Sequence, residues 1–347
     1  MSTKNNILLP SEWYPQGAIQ LTWPHQFGDW GYMIERVTAC FVNLAAEIIK
    51  RQRLIIVCHD VELVKYELRN SAQYFDNLVL LEAPTNDTWA RDHSGISVLK
   101  DGEPCLYDFT FNGWGLKFAA DHDNQITRAL FSKGIFDGKV HYINRKNFVL
   151  EGGAIESDGK GTLLTTTECL LSPNRNSYMS KEEIESYLKE IFGLKRVLWL
   201  DYGFLAGDDT DSHIDTLARF CDEHTIAYVK CEDQNDVHYE ALAKMEEQLK
   251  SFVDYEGNPY KLIPLPMAKP VYEDDERLPA TYANFLIMNE TVLVPFYHVK
   301  ELDEEAKTQL QKAFPTREIV GVDCSALICQ HGSLHCVTMQ YPMEMIS

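Results

Sequence analysis

The sequence contains no Cys-x-x-Cys pair, and its nine cysteines are an odd number, so neither a disulfide framework nor a zinc knuckle is expected to organise it. It has no apolar run near the roughly 18 residues of a membrane span. The runs it does have are short, such as Leu54 to Cys58. Basic side chains are scarce: 32 Lys and Arg against 52 Asp and Glu leave a net charge of −20, a field that repels phosphate backbones and attracts cations. Neither nucleic acid nor a membrane is therefore expected as a partner. Met1 to Pro10 offers one lysine and too brief an apolar segment for an export signal, which predicts a cytoplasmic protein. Linkers rich in Pro, Gly or Ser are missing too, so residues 1–347 read as one domain.

What is present is an ordinary globular composition, 45% apolar and 24% charged. Short β-branched or aromatic runs alternate with amphipathic stretches, which predicts an α/β fold. The expected strands are Leu54 to Cys58, Leu78 to Glu82, Thr162 to Thr166, Arg196 to Leu200, Ile226 to Val229, Phe285 to Met288 and Val292 to Pro295. From Met33 to Lys50, helical spacing puts Met33, Val37, Cys40, Phe41, Leu44 and Ile48 on one face that should pack on a sheet. Ser180 and Glu183 form a capping box for a helix reaching about Phe192, and further helices are expected near Tyr239 to Phe252 and Leu302 to Phe314. Chemically dense stretches recur around Trp23, Asp92, Glu151, His213, Tyr282 and Cys336, at intervals of 69, 59, 62, 69 and 54 residues. Each interval is about one strand–helix–strand unit. A ring of such units would bring these stretches together, and a plain open sheet is the alternative.

Four stretches carry the chemistry. Asn86 to Gly95 packs Asp87, Trp89, Arg91, Asp92 and His93 before an expected strand; it either binds a ligand or is a turn in which Asp92 pairs with Arg91. In Asn147 to Gly153, Glu151 stands where an apolar run meets two glycines, either a site at a strand end or an exposed glycine turn. In Gly207 to Thr216, His213 and Asp215 would share one face of a strand. A metal site is the weaker reading there, because the spacing is not that of a calcium loop and zinc would need further ligands. In Gly332 to Gln340, Cys336 leads an expected strand as a nucleophile or a buried inert thiol; His335 should point to the opposite face, leaving His213 as the partner imidazole.

Three carboxylates beside a cysteine raise the thiol pKa, which suits attack on a neutral amide badly. A permanently cationic substrate inverts that logic. A guanidinium can be clamped by paired carboxylates through its planar fork of donors, and its charge then stabilises the thiolate.

The ordered motifs Trp89-Ala90-Arg91-Asp92, Phe111-Asn112-Gly113-Trp114-Gly115, Glu151-Gly152-Gly153-Ala154-Ile155, Thr165 to Asn176, His213-Ile214-Asp215, Arg277 to Phe285 and His335-Cys336 run through the chain. With Trp23-Pro24-His25 at the start, they make it resemble the agmatine deiminase and bacterial peptidyl-arginine deiminase family over nearly its whole length. The resemblance implies a five-bladed α/β propeller with pseudo-fivefold symmetry. It implies Cys336 as nucleophile, His213 as general acid and base, Asp92 and Asp215 on the guanidinium with Glu151 supporting, and Trp89 lining the pocket. For Trp114, Asn174 and Asn284 only a motif match is available, and packing or turn-capping roles serve equally. The implied reaction is hydrolytic deimination without metal or organic cofactor, with agmatine as the leading small cationic substrate. Peptidyl-arginine or free arginine as substrate, amidinotransfer to an amine, and non-catalytic guanidine binding are the competing readings; a homo-oligomer is left open.

Three departures bear on the substrate. Gln330-His331-Gly332-Ser333 replaces the family's usual run of three glycines and an asparagine. His93-Ser94-Gly95 follows Asp92 where threonine, glycine and proline are usual, and Ser212 stands where a glycine commonly precedes the histidine.

Overall fold

The computed structural model describes residues 6–346. Met1 to Asn5, half of the stretch read for an export signal, lie outside the described residues. The fold is mixed α/β, and its strands form five sheets of three or four strands plus one two-stranded ribbon, Tyr272–Glu273 with Glu276–Arg277. No sheet closes on itself among the described residues.

Each larger sheet repeats one plan: an antiparallel pair, then a helical crossover to a parallel third strand. In the second sheet, Ile155–Ser157 pairs antiparallel with Thr162–Thr166, and helix Lys181–Phe192 returns the chain to the parallel strand Arg196–Leu200. Ala218–Asp222, Thr225–Lys230 and Lys261–Pro266 repeat the plan around helix Tyr239–Ser251. Leu286–Ile287, Thr291–Phe296 and Glu318–Asp323 do so around helix Lys300–Ala313. Ile96–Lys100, Glu103–Thr110 and His141–Val149 do so around helix Asp123–Ser132, with Ile7–Leu8 added at the edge. The fifth sheet is assembled from distant segments. Thr338–Pro342 pairs antiparallel with Gln16–Thr22, which continues through helix Ile34–Ile49 to Arg53–Cys58 and then Leu78–Glu82.

The expected elements have local causes that survive in the structure. Helix Ile34–Ile49 buries Val37, Cys40, Phe41, Leu44 and Ile48, the face that its spacing predicts. Helix Lys181–Phe192 begins on the expected capping box: the Ser180 hydroxyl accepts the Glu183 N–H and the Glu183 carboxylate accepts the Ser180 N–H. It stops at Gly193, whose φ of 69° is the left-handed conformation that lets a helix end.

Three local expectations are corrected. His213 and Asp215 do not lie on a strand; they flank and enter the single turn Ile214–Thr216, which brings both inward without strand alternation. Trp89 to His93 form a short helical turn, Ala90–His93, and Asp92 accepts from Gly153 and Trp114 rather than pairing with Arg91. His335 and Cys336 sit in a turn ahead of Thr338–Pro342, so strand alternation does not govern where the His335 ring points.

The common plan explains the spacing of the dense stretches. In each unit the turn entering the first strand carries the chemistry: Ala90–His93, Gly152–Ala154, Ile214–Thr216, the stretch Tyr282 to Asn284, and His335 with Cys336.

Candidate active site

These entering turns meet at one buried place. Cys336 is 5% exposed, and its Sγ lies 3.3 Å from Asn284 Oδ1 and 3.9 Å from Asp215 Oδ2. Asn284 Oδ1 also accepts the N–H groups of His335 at 2.8 Å and Cys336 at 3.2 Å, so one amide fixes the turn that presents the thiol. Asn284, matched by motif alone in the sequence, thus touches the sulfur directly.

The two aspartates are held by donors from other turns. Asp92 Oδ1 accepts the Gly153 N–H and Oδ2 accepts the Trp114 indole N–H, both at 3.0 Å. Asp215 Oδ2 accepts from His335 Nδ1 at 2.7 Å, while its Oδ1 is buried without a hydrogen-bond partner. The His213 ring is fully buried with Nδ1 3.5 Å from Asp92 Oδ1, and neither ring nitrogen has a hydrogen-bond partner. Gly153 is required by this crowding. A Cβ there would lie 2.6 Å from His213 Nδ1, 2.8 Å from Asp92 Oδ1 and 3.2 Å from Asp215 Oδ2.

Glu151 is also fully buried, and both its oxygens face Arg175 Nε, at 2.9 and 3.1 Å. Arg175 reaches on to Asp211 Oδ2 at 2.5 Å and the Thr210 carbonyl at 2.9 Å, tying Glu151 to the loop that delivers His213. Glu151, Cys169 and His213 offer donor atoms within 4.8 Å of one another, a grouping the sequence spacing does not suggest. The trio does not fit a metal ion, because a fixed guanidinium already answers the Glu151 charge.

Burial pushes the Cys336 thiol well above the ordinary thiol range, and Asp215 and Asp92 push it further, against the opposing hydrogen bond with Asn284. Burial opposes a charge on His213, but Asp92, Cys169 and Glu151 outweigh it and hold the imidazole pKa well above its ordinary value. Asp92 is pushed up to about 6 by burial, aided by Asp215 and opposed by His213. For Asp215 burial acts upward too, but the His335 contact and the nearby cations win and its pKa falls. The shifts thus favour a protonated thiol at Cys336 and a charged imidazole at His213.

Above the thiol opens a narrow cleft walled by Trp89, Trp114 and Phe118. Asp29, Asp87 and Asp209 line it, and no Lys or Arg does. Gly332 packs against the Trp89 ring, where a Cβ would come within 2.2 Å of the indole, so this departure-rich loop keeps its glycine where the tryptophan presses on it. His331, with φ of 65°, points its Nδ1 at the Gly207 carbonyl, 2.7 Å away. Cys336, His213, Asp92, Asp215, Glu151 and Trp89 are thus brought together.

The Porphyromonas-type peptidyl-arginine deiminase family model matches residues 8–342. The agmatine deiminase of Ectopseudomonas mendocina is 32% identical over 96% of this chain and 95% of its own. A Porphyromonas gingivalis protein provisionally named an arginine deiminase superposes with a TM-score of 0.94 at 55% identity, covering 98% of this chain and 100% of that one. The substrate-bound agmatine deiminase of C. jejuni superposes with a TM-score of 0.90 at 37% identity, over 100% of this chain and 99% of that one. Fold and relatives together define a hydrolase of carbon–nitrogen bonds. Within that class, the chain belongs to the Porphyromonas-type peptidyl-arginine deiminase family. No helix among the described residues is long and apolar enough to cross a membrane.

Proposed function

We propose that the protein hydrolyses agmatine to N-carbamoylputrescine and ammonia, with residues 1–347 acting as one catalytic domain whose five larger sheets are the blades of an α/β propeller. The observation that carries this reading is the Cys336 thiol set beside Asp215, whose free Oδ1 is the acceptor a guanidinium N–H would fill. Asp92 and Asp215 grip the substrate, with Glu151 supporting the site through its contact with Arg175 and its place beside His213. Docking a delocalised cation lowers the cost of ionising Cys336, whose proton leaves to solvent. The thiolate adds to the guanidinium carbon, giving a neutral tetrahedral adduct. His213, charged at rest, donates its proton to one amino group, and ammonia departs as the amidino-thioether cation forms. Neutral His213 then takes a proton from water as the oxygen adds to the same carbon. Collapse expels the Cys336 sulfur, which takes up the adduct's hydroxyl proton, and leaves the neutral ureido product with the thiol restored.

Asp29 lines the cleft, and burial pushes the lining carboxyls of Asp87 and Asp209 up to about 7 and about 6, so a second substrate cation beyond the guanidine would favour their ionised forms. Free arginine would bring a carboxylate to the same place. An ammonia and ureido-product assay across agmatine, free arginine and an arginyl peptide tests the reading. Agmatine should give the highest kcat/KM, and ammonia should form with no added amine; preference for the peptide, or a requirement for an amine acceptor, would overturn it.

Two further outcomes follow from the electrostatics. Ultraviolet titration of Cys336 should show the thiolate at lower pH with a bound guanidine than without; identical titrations would remove substrate-assisted ionisation. Because burial pushes Asp92 up to about 6 and it binds a cation only when ionised, guanidine affinity should fall as pH drops below about 6, approaching tenfold per pH unit. Calorimetry at stepped pH checks this, and an affinity flat from pH 7 to 5 would contradict it.

A further inference from the structure

The sequence alone sets His335 aside as a base for the thiol, and the structure gives its ring another task. His335 is 1% exposed, with Nδ1 2.7 Å from Asp215 Oδ2 and Nε2 2.7 Å from Glu12 Oε2. An ionised carboxylate only accepts, so a ring between two of them donates from both nitrogens. Glu12 is itself immobile: Oε1 accepts the Ile287 N–H at 2.6 Å, and Oε2 also meets Arg219 Nη2 at 2.5 Å. Arg219 extends to Glu156, and Arg91 Nη2 stands 4.0 Å from Glu12. The row Glu12–His335–Asp215 is therefore anchored at its far end by Arg219, with the Arg91 charge nearby, and ends at the carboxylate beside the sulfur.

We propose that His335 is a positioning residue for guanidine recognition: clamped by Glu12, it holds one oxygen of Asp215 and leaves the other aimed at the substrate. A terminal carboxylate rotates over a broad, roughly two-fold torsional surface. Pinning Oδ2 removes that freedom, so the buried, unpartnered Oδ1 waits in a fixed place instead of being ordered by each arriving substrate. The same residue steadies the nucleophile, since the His335 N–H shares the Asn284 oxygen with the N–H of Cys336. The inference rests on Asp215 as the guanidinium acceptor.

The test replaces His335→Gln in the full chain and compares Cys336 alkylation by chloroacetamidine, a cationic planar probe, with alkylation by neutral chloroacetamide. In the wild type the amidine should react faster. In the variant that preference should fall by about tenfold or more, and the agmatine KM should rise by a similar factor, at a thermal midpoint near that of the wild type. A preference and KM both within about threefold of wild type would overturn the proposal. If H335Q does not fold, Glu12→Gln is read by the same two ratios: falls of about tenfold support the clamp, and values within about threefold of wild type overturn it. If neither folds, nitrogen NMR of wild-type His335 decides: protons on both ring nitrogens at neutral pH support the clamp, and one bare nitrogen overturns it. Amidine preference without ammonia release in the wild type would refute deimination while leaving the positioning role standing; no amidine preference in the wild type would refute the acceptor role of Asp215 and the clamp with it.

Discussion

Cys336→Ala is expected to lower ammonia release by at least about 10⁴-fold while leaving guanidine binding within a few-fold of wild type. The two halves of that outcome have separate causes. Covalent chemistry needs the sulfur, and no second thiol among the described residues is in contact with Asp215. Cys169, the other cysteine nearby, lies against Glu151 and His213. Binding depends instead on carboxylates held by partners that the substitution leaves alone: Gly153 and Trp114 on Asp92, His335 on Asp215. Truncating a side chain already packed against Asn284 removes one atom and its weak donor. Ammonia assays paired with calorimetry on the same preparation check both halves. Turnover within about 100-fold of wild type would exclude covalent catalysis at this residue.

The second large effect is on stability. Arg175→Met is expected to cost about 3–5 kcal/mol, because it strands Glu151 as an unanswered charge in a fully buried place. The loss is not confined to that pair. Asp211 and Ser212 adopt left-handed backbone angles, φ 64° and 62°, which side chains other than glycine disfavour by about 1–2 kcal/mol each. The Arg175 fork grips this loop at the Thr210 carbonyl and the Asp211 carboxylate, offsetting that strain immediately before His213. Urea unfolding should place Arg175→Lys between the variant and wild type, since a lysine restores a point charge but not the fork. A loss under about 1 kcal/mol for Arg175→Met would show that Glu151 finds another partner or protonates cheaply.

How much of this is legible in the sequence divides by the range of the interactions. Strands Leu78–Glu82, Thr162–Thr166 and Arg196–Leu200 appear within the expected bounds, and the helix after Ser180 begins on its capping box, because composition and capping act over a few residues. Strand His141–Val149 escapes sequence reasoning: its sequence HYINRKNFV carries polar and charged residues along a mostly half-exposed strand, leaving no clean alternation to read. The site residues are legible as ordered motifs, yet their partners are not. Glu12 contacts His335 across 323 positions and Asn284 contacts Cys336 across 52, and nothing in local spacing announces such a pairing. His335 is misplaced by sequence reasoning for a related reason. An alternation rule holds only inside a strand, and this residue stands in the turn before one. Arg175 has a motif around it but no visible carboxylate, since Glu151 lies 24 positions upstream, at the turn entering the same unit.

The strand that follows the sulfur pairs with one made far earlier in the chain, Thr338 against Leu21 and Met339 against Gln20. On the ribosome, the units built from neighbouring segments have their strands soon after they emerge, whereas this one waits for Thr338–Pro342, made after the other described strands. The proposed reactive centre is therefore completed after the other described units, and a nascent chain stalled before Thr338–Pro342 should be chemically silent however much of it has already folded.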